Sequence, residues 1–340
     1  MNMKKKSWVT LPLIALLSMS TLLAACGNNS NSASPTTDGN TASTTTGKKL
    51  HIVTSFYPMQ EFTSKVAGDL ADVQVLVPAG TEPHDWEPTA QDIAKMTDAD
   101  MLVYNGGGVE SWIDQVKDTL GDSGPKLVEA SQGIQMMEST EEEHEGEEAG
   151  HAEEADHATE EGHDHGSLDP HVWLSPLQAQ TEVRNIETAL TTLDPDHTAD
   201  YKKNADAYIA ELQKLDAEYK ASLSKVKRKD FITQHAAFAY LAHDYGLTQV
   251  PIAGLSPEQE PSAEAMAKIV DFAKQNDVKT IFFETLVSSN VAKTIADEIG
   301  AKTDVLNPLE GLTSAETSAG ENYVSVMRTN LAALEKALNE

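Results

Sequence analysis

Short apolar runs alternate with amphipathic stretches twice in this chain, once on either side of a long helical segment, and that pattern leaves few folds open. Before the segment, Leu50-His51-Ile52-Val53-Thr54, Val73-Gln74-Val75-Leu76-Val77 and Met101-Leu102-Val103-Tyr104 read as buried strands. Helices are predicted over 58–66, 89–97 and 112–120, with Thr89 placed to cap the second. Beyond the segment, strands are predicted at 230–233, 248–250, 279–283 and 303–306. Helices accompany them near 235–245, 262–275 and 290–299, and another closes the chain over 323–338. Such alternation builds parallel βαβ units. Within the segment, Tyr201, Ala205, Tyr208, Leu212, Leu215, Tyr219 and Leu223 recur three and four apart, so 176–226 reads as a long amphipathic helix interrupted at Pro195. The predicted fold is α/β: two βα lobes with parallel sheets, 48–175 and 229–340, joined by one long backbone helix in the linking region 176–228. Ligands bind such folds beyond the carboxyl ends of the strands and between domains, which points to a site in the inter-lobe cleft.

What precedes Lys48 has a different chemistry. Lys4, Lys5 and Lys6 precede an apolar run from Trp8 to Leu23, which ends in Leu23-Ala24-Ala25-Cys26. A charged start, an apolar middle and small residues at the end form the layout of an export signal, here 1–25. A retained membrane anchor is the other reading of a run this long. Leu-Ala-Ala-Cys resembles a bacterial lipobox, which implies lipidation of Cys26. The position is telling because the chain has no other cysteine. The Ser-, Thr-, Asn- and Gly-rich stretch 26–47 buries nothing and reads as a flexible tether. Together these features place the folded part outside the cytoplasm, held to a membrane by lipid.

Charge is concentrated in one place. The net charge is −29, and thirteen of the 54 acidic residues fall between Glu138 and Asp164. An acidic chain is a poor partner for phosphate backbones, which excludes nucleic acid. The insert 138–166 also carries His144, His151, His157, His163 and His165. Like charges at this density resist folding. Two readings stand: a solvated acidic loop, or a weak multi-site metal collector, since imidazole and carboxylate together suit Zn²⁺.

Four further residues stand where strands give way to loops. They are His84 in Pro-His-Asp-Trp-Glu-Pro (83–88), His171 in Asp-Pro-His-Val-Trp-Leu-Ser-Pro (169–176), His235 after Phe-Ile-Thr-Gln, and Glu310 in Asn-Pro-Leu-Glu-Gly (307–311). Two precede the linking helix and two follow it, so both lobes can contribute to one site. Asp85 and Asp169 are read either as carboxylates orienting ligand rings or as turn caps. His51, His197 and His243 have no motif around them.

With these motifs the chain resembles the zinc-uptake solute-binding proteins of ABC importers, within the metal-binding group called cluster A-I. The likeness runs from Lys48 to the C-terminus, and an acidic His-rich loop is a feature of the zinc branch. It implies that His84, His171, His235 and Glu310 ligate the metal, that Zn²⁺ is the ion, and that an ABC permease is the partner of a monomeric protein. Some zinc members carry a disulfide in the second lobe and lack the acidic ligand; this chain has no such cysteines. Glu284 in Phe-Phe-Glu (282–284) is the rival to Glu310, read as a supporting carboxylate instead. A filled four-ligand shell leaves no position for an activated water, so no enzymatic activity is expected, and no His-Glu-x-x-His motif is present. The alternatives are a manganese or other divalent-metal carrier on the same scaffold, and a zinc-dependent surface adhesin.

Overall fold

The computed structural model describes residues 48–139, 168–259 and 261–340. The predicted export signal 1–25, Cys26 and its tether, and His144, His151, His157, His163 and His165 lie outside the described residues.

The first sheet holds β1 (Leu50–Thr54), β2 (Ala71–Val75), β3 (Met101–Tyr104) and β4 (Lys126–Glu129), in the order β2-β1-β3-β4 and parallel throughout. Around it lie α1 (Tyr57–Ala67), α2 (Ala90–Thr97) and α3 (Ile113–Leu120). Every residue of β3 is buried, as expected of a central parallel strand covered on both faces. Thr89 caps α2 as predicted, in a reciprocal capping box with Asp92. Strand β4 was not foreseen: Lys126-Leu-Val-Glu is a short edge strand with only Val128 buried, and its alternation is too brief to stand out.

The second sheet holds β7 (Asp230–Thr233), β8 (Thr248–Pro251), β9 (Thr280–Phe283) and β10 (Lys302–Val305), in the order β10-β9-β7-β8. Read from the other edge, β8-β7-β9-β10 repeats the strand order of the first sheet. Its helices are α6 (Ala239–Tyr245), α7 (Ala263–Gln275), α8 (Asn290–Ile299), a short α9 (Ser314–Ala319) and the closing α10 (Tyr323–Ala337). Helix α6 starts four residues later than predicted, because His235 sits in the turn leaving β7. Between 138 and 168 the chain leaves and returns through a two-residue antiparallel ladder, β5 (Met137–Glu138) against β6 (Leu168–Asp169).

Asp194-Pro195 divides the linking region into α4 (Ala179–Leu193) and α5 (Thr198–Leu223). At about 1.5 Å per residue, α5 is roughly 39 Å long, enough to pass both sheets. Its first turns meet α1, where Asn204 Nδ2 donates to Val66 O at 3.1 Å. Its last turns meet α10, where the Tyr219 hydroxyl donates to Met327 O at 2.6 Å. The apolar stripe predicted for α5 is buried along its whole length, and it belongs to a single core that runs from Ile52 and Phe62 through α5 to Phe238 and Met327.

Candidate metal centre

Four chain segments converge between the sheets. His84 rides the loop after β2, where Glu82 accepts the backbone N–H groups of His84 (2.9 Å) and Asp85 (3.3 Å). His171 follows β6, so it leaves the small antiparallel ladder and not a parallel strand as expected. Asp169 Oδ1 accepts both its backbone N–H (2.9 Å) and its ring Nδ1–H (2.8 Å). His235 leaves β7 and Glu284 leaves β9, strands that are neighbours where the strand order reverses. Glu284 Oε1 accepts from the His235 ring Nδ1 at 2.5 Å and from its backbone N–H at 3.2 Å. Such crevices at a reversal of strand order are where open α/β sheets bind ligands.

Glu310 arrives on a strained loop. Leu309 before it has φ 55°, a left-handed conformation that costs a non-glycine residue about 1–2 kcal/mol. The loop is over-determined there: Asn307 Oδ1 accepts the Leu309 N–H at 2.8 Å, and Asn330 on α10 exchanges hydrogen bonds with the Asn307 backbone at 2.9 and 2.7 Å. Trp173 adds a brace, its indole N–H donating to Pro308 O at 2.8 Å while its ring lies 5.1 Å from that of His171.

The four predicted side chains come together. Glu310 Oε1 lies 3.3 Å from His84 Nε2, 3.5 Å from His171 Nε2 and 3.2 Å from His235 Nε2. His171 Nε2 lies 3.2 Å from His84 Nε2 and 3.4 Å from His235 Nε2. These five separations are edges of a tetrahedron, closed by a sixth of no more than 4.8 Å, and a regular one with edges of 3.2–3.5 Å has its centre about 2.0 Å from each corner, the distance at which zinc binds imidazole nitrogen or carboxylate oxygen. Because the Nδ1–H groups of His171 and His235 are engaged by carboxylates, both rings turn an Nε2 lone pair to that centre. His171, His235 and Glu310 are buried, while the His84 side chain keeps 10% of its surface exposed and forms the open side.

Electrostatics favour a cation. At His171 burial opposes a charged ring, but Asp169 and Glu310 outweigh it and raise the pKa above the ordinary imidazole value. At His235 the same contest against burial is won by Glu284 and Glu310, which hold the pKa well above that value. Burial pushes Glu310 toward the neutral acid, yet His235, His171 and His84 hold it well below the usual carboxylate range. The carboxylates that favour a proton on His171 and on His235 would equally favour a divalent ion in its place.

Of the other predicted residues, Asp169 orients His171, whereas Asp85 makes no hydrogen bond to the His84 ring. Glu284 supports His235 through Nδ1 and is not among the four atoms facing the centre. His197 and His243 pair with Asp194 and Asp244. Asn307, Asn330 and Trp173 were not foreseen. Asn-Pro before a buried Leu-Glu was the visible sign of a forced turn.

The model of the family described as zinc-uptake complex component A, periplasmic (ZnuA), matches residues 52–337. The chain belongs to this family. ZnuA-family members are extracytoplasmic solute-binding proteins and not enzymes. The high-affinity zinc uptake system protein ZnuA of Bacillus subtilis is 49% identical over 333 residues, covering 98% of each chain. The zinc-binding lipoprotein AdcA of Streptococcus pneumoniae is 46% identical over 344 residues, 99% of this chain but 62% of the longer relative. Among solved structures, the Zn(II)-bound ZnuA-like domain of that AdcA is 45% identical, with a TM-score of 0.71 over 86% of this chain and all of the domain.

Proposed function

We propose that this chain captures one Zn²⁺ outside the cytoplasm with His84, His171, His235 and Glu310 and passes it to the membrane permease of an ABC importer. The ion is cargo. The observation that carries the reading is the convergence of four donor atoms from four separate chain segments, all within 4.8 Å of one another and five of their six separations 3.2–3.5 Å. Three neutral nitrogens and one oxygen favour zinc over manganese, which takes more oxygen ligands. The exposed edge of His84 gives the ion its way in and out. The single cysteine, Cys26, in a lipobox-like sequence supports a lipid anchor for a monomeric protein, and one relative is named a lipoprotein. The His-rich insert 138–166 then feeds the tighter site.

The test is a competition titration against a chromophoric zinc chelator, using the wild type and a variant lacking 138–166. One tight site should remain after the deletion, and Mn²⁺ should not displace zinc from it. Loss of the tight site with the insert, or preference for Mn²⁺, would refute the proposal.

A further inference from the structure

The turn that presents His171 is gripped from both halves of the molecule. From the first lobe, Asn105 Nδ2 donates to Pro170 O at 3.0 Å. Asn105 is fixed in turn by Glu110, whose buried carboxylate accepts the backbone N–H groups of Asn105 (2.8 Å) and Gly106 (3.1 Å). Gly107 lets the two backbones approach, since a Cβ there would stand 3.1 Å from Pro170 Cα. From the second lobe, the Tyr240 hydroxyl on α6 donates to Asp169 O at 2.7 Å and accepts the Met137 N–H at 2.8 Å. Met137 and Asp169 face each other across the β5–β6 ladder, so one hydroxyl ties down both strands at once. Tyr240 is 3% exposed, so water does not readily replace those bonds.

We infer that Tyr240 is a positioning residue for metal capture, acting through the Asp169 backbone on the carboxylate that aims His171. The chain of contact is continuous: Tyr240 Oη to Asp169 O, Asp169 Oδ1 to His171 Nδ1, and His171 Nε2 to the centre. Because Tyr240 stands on the second lobe and His171 belongs to the first, the aim of this ring depends on the lobes keeping register. A departure of α6 from β6 by an ångström would break the bond and release the turn. The inference rests on the reading of His171 as a zinc ligand.

The experiment uses the full chain and four proteins: wild type, Tyr240→Phe, Tyr219→Phe and His171→Ala. Tyr219→Phe removes an equally buried hydroxyl bonded to a backbone carbonyl, but on α5 and outside the Tyr240–Asp169–His171 chain of contact. Zinc release is timed by stopped flow into excess chelator, ligand geometry is read from the visible spectrum of the Co²⁺ form, and folding from thermal melts of the metal-free proteins. Tyr240→Phe should release zinc roughly tenfold faster, the lower end of what loss of an outer hydrogen-bonding partner costs a metal site. Its Co²⁺ bands should shift, while Tyr219→Phe melts lower yet releases zinc at the wild-type rate. Wild-type release and an unshifted spectrum in Tyr240→Phe would overturn the inference, and so would equal acceleration in both Tyr→Phe variants. If His171→Ala binds zinc as well as the wild type, the underlying ligand reading fails instead.

Discussion

Replacing Glu284 by Gln tests how far an outer carboxylate tunes the centre. Gln is isosteric and its amide oxygen can still accept from His235 Nδ1, where Glu284 now sits at 2.5 Å, so packing is preserved and only charge is lost. A hydrogen bond to a charged group contributes about 1.5–3 kcal/mol and a neutral one about 1. The difference, about 0.5–2 kcal/mol, centres on roughly a factor of ten in zinc affinity. A second effect opposes it. Glu284 also holds the His235 pKa well above its ordinary value, so metal-free wild type carries a proton that zinc must displace. Glu284→Gln weakens both the metal and its competitor. The affinity gap should therefore be narrow near pH 6, below the ordinary imidazole pKa of about 6.5, and widen toward about tenfold as pH rises. Wild-type affinity should climb steeply with pH, because protonated His171 and His235 compete with zinc until pH passes their raised pKa values. The variant should climb less steeply. Chelator competition at several pH values, with proton release followed by an indicator dye, measures both quantities. Parallel curves for the two proteins would refute the argument, because they would mean that Glu284 does not polarise His235.

Two further outcomes follow from burial. His84→Ala should cost less fold stability than His171→Ala or His235→Ala, because water can reach the place of His84, whereas the other two deletions take a ring N–H away from Asp169 or Glu284 in the interior and leave each only a backbone N–H. Losing such a buried partner costs about 1–3 kcal/mol, and equal losses in thermal melts of the metal-free proteins would contradict this. Glu182 on α4 is wholly buried, neither of its carboxylate oxygens has a hydrogen-bond partner among the described residues, and burial followed by the nearby Glu110 raises its pKa well above the carboxylate range. A raised folded-state pKa gives stability below the unfolded value of about 4.3 and loses it as pH rises. Glu182→Gln should thus melt higher than wild type at pH 8, with the difference closing near pH 4; a pH-independent difference would exclude this cause.

The sequence made the strands and helices legible wherever apolar period and length agreed, as in β3 and α5, whose buried faces are those the period names. It failed where an element takes its stability from neighbours. Among the described residues, strand β4 pairs only with β3, the β5–β6 ladder is two residues long, and α9 is a single capped turn and a half after Glu310. The four donors were legible because each sits in a local motif at the end of a predicted strand or beside the His-rich insert. Their supports were less so. Asp169 and Glu284 could be suspected from charge alone, but Asn105, Tyr240, Asn307, Asn330 and Trp173 act through backbone carbonyls and amides that no residue pattern announces.

Helix α5, sewn to α1 at one end and α10 at the other over an unbroken apolar interior, restricts how the protein can let its ion go. Swinging the halves apart like tweezers would wet that interior, and each few hundred Å² of oil-like surface laid bare costs several kcal/mol at about 25 cal/mol per Å². The turn bearing His84, residues 78–85, is exposed or half-buried except at Pro83, so its detachment uncovers less. Under the proposed function, release of the ion would need only that corner to unlatch, and a membrane partner would collect it by pulling on residues 78–85.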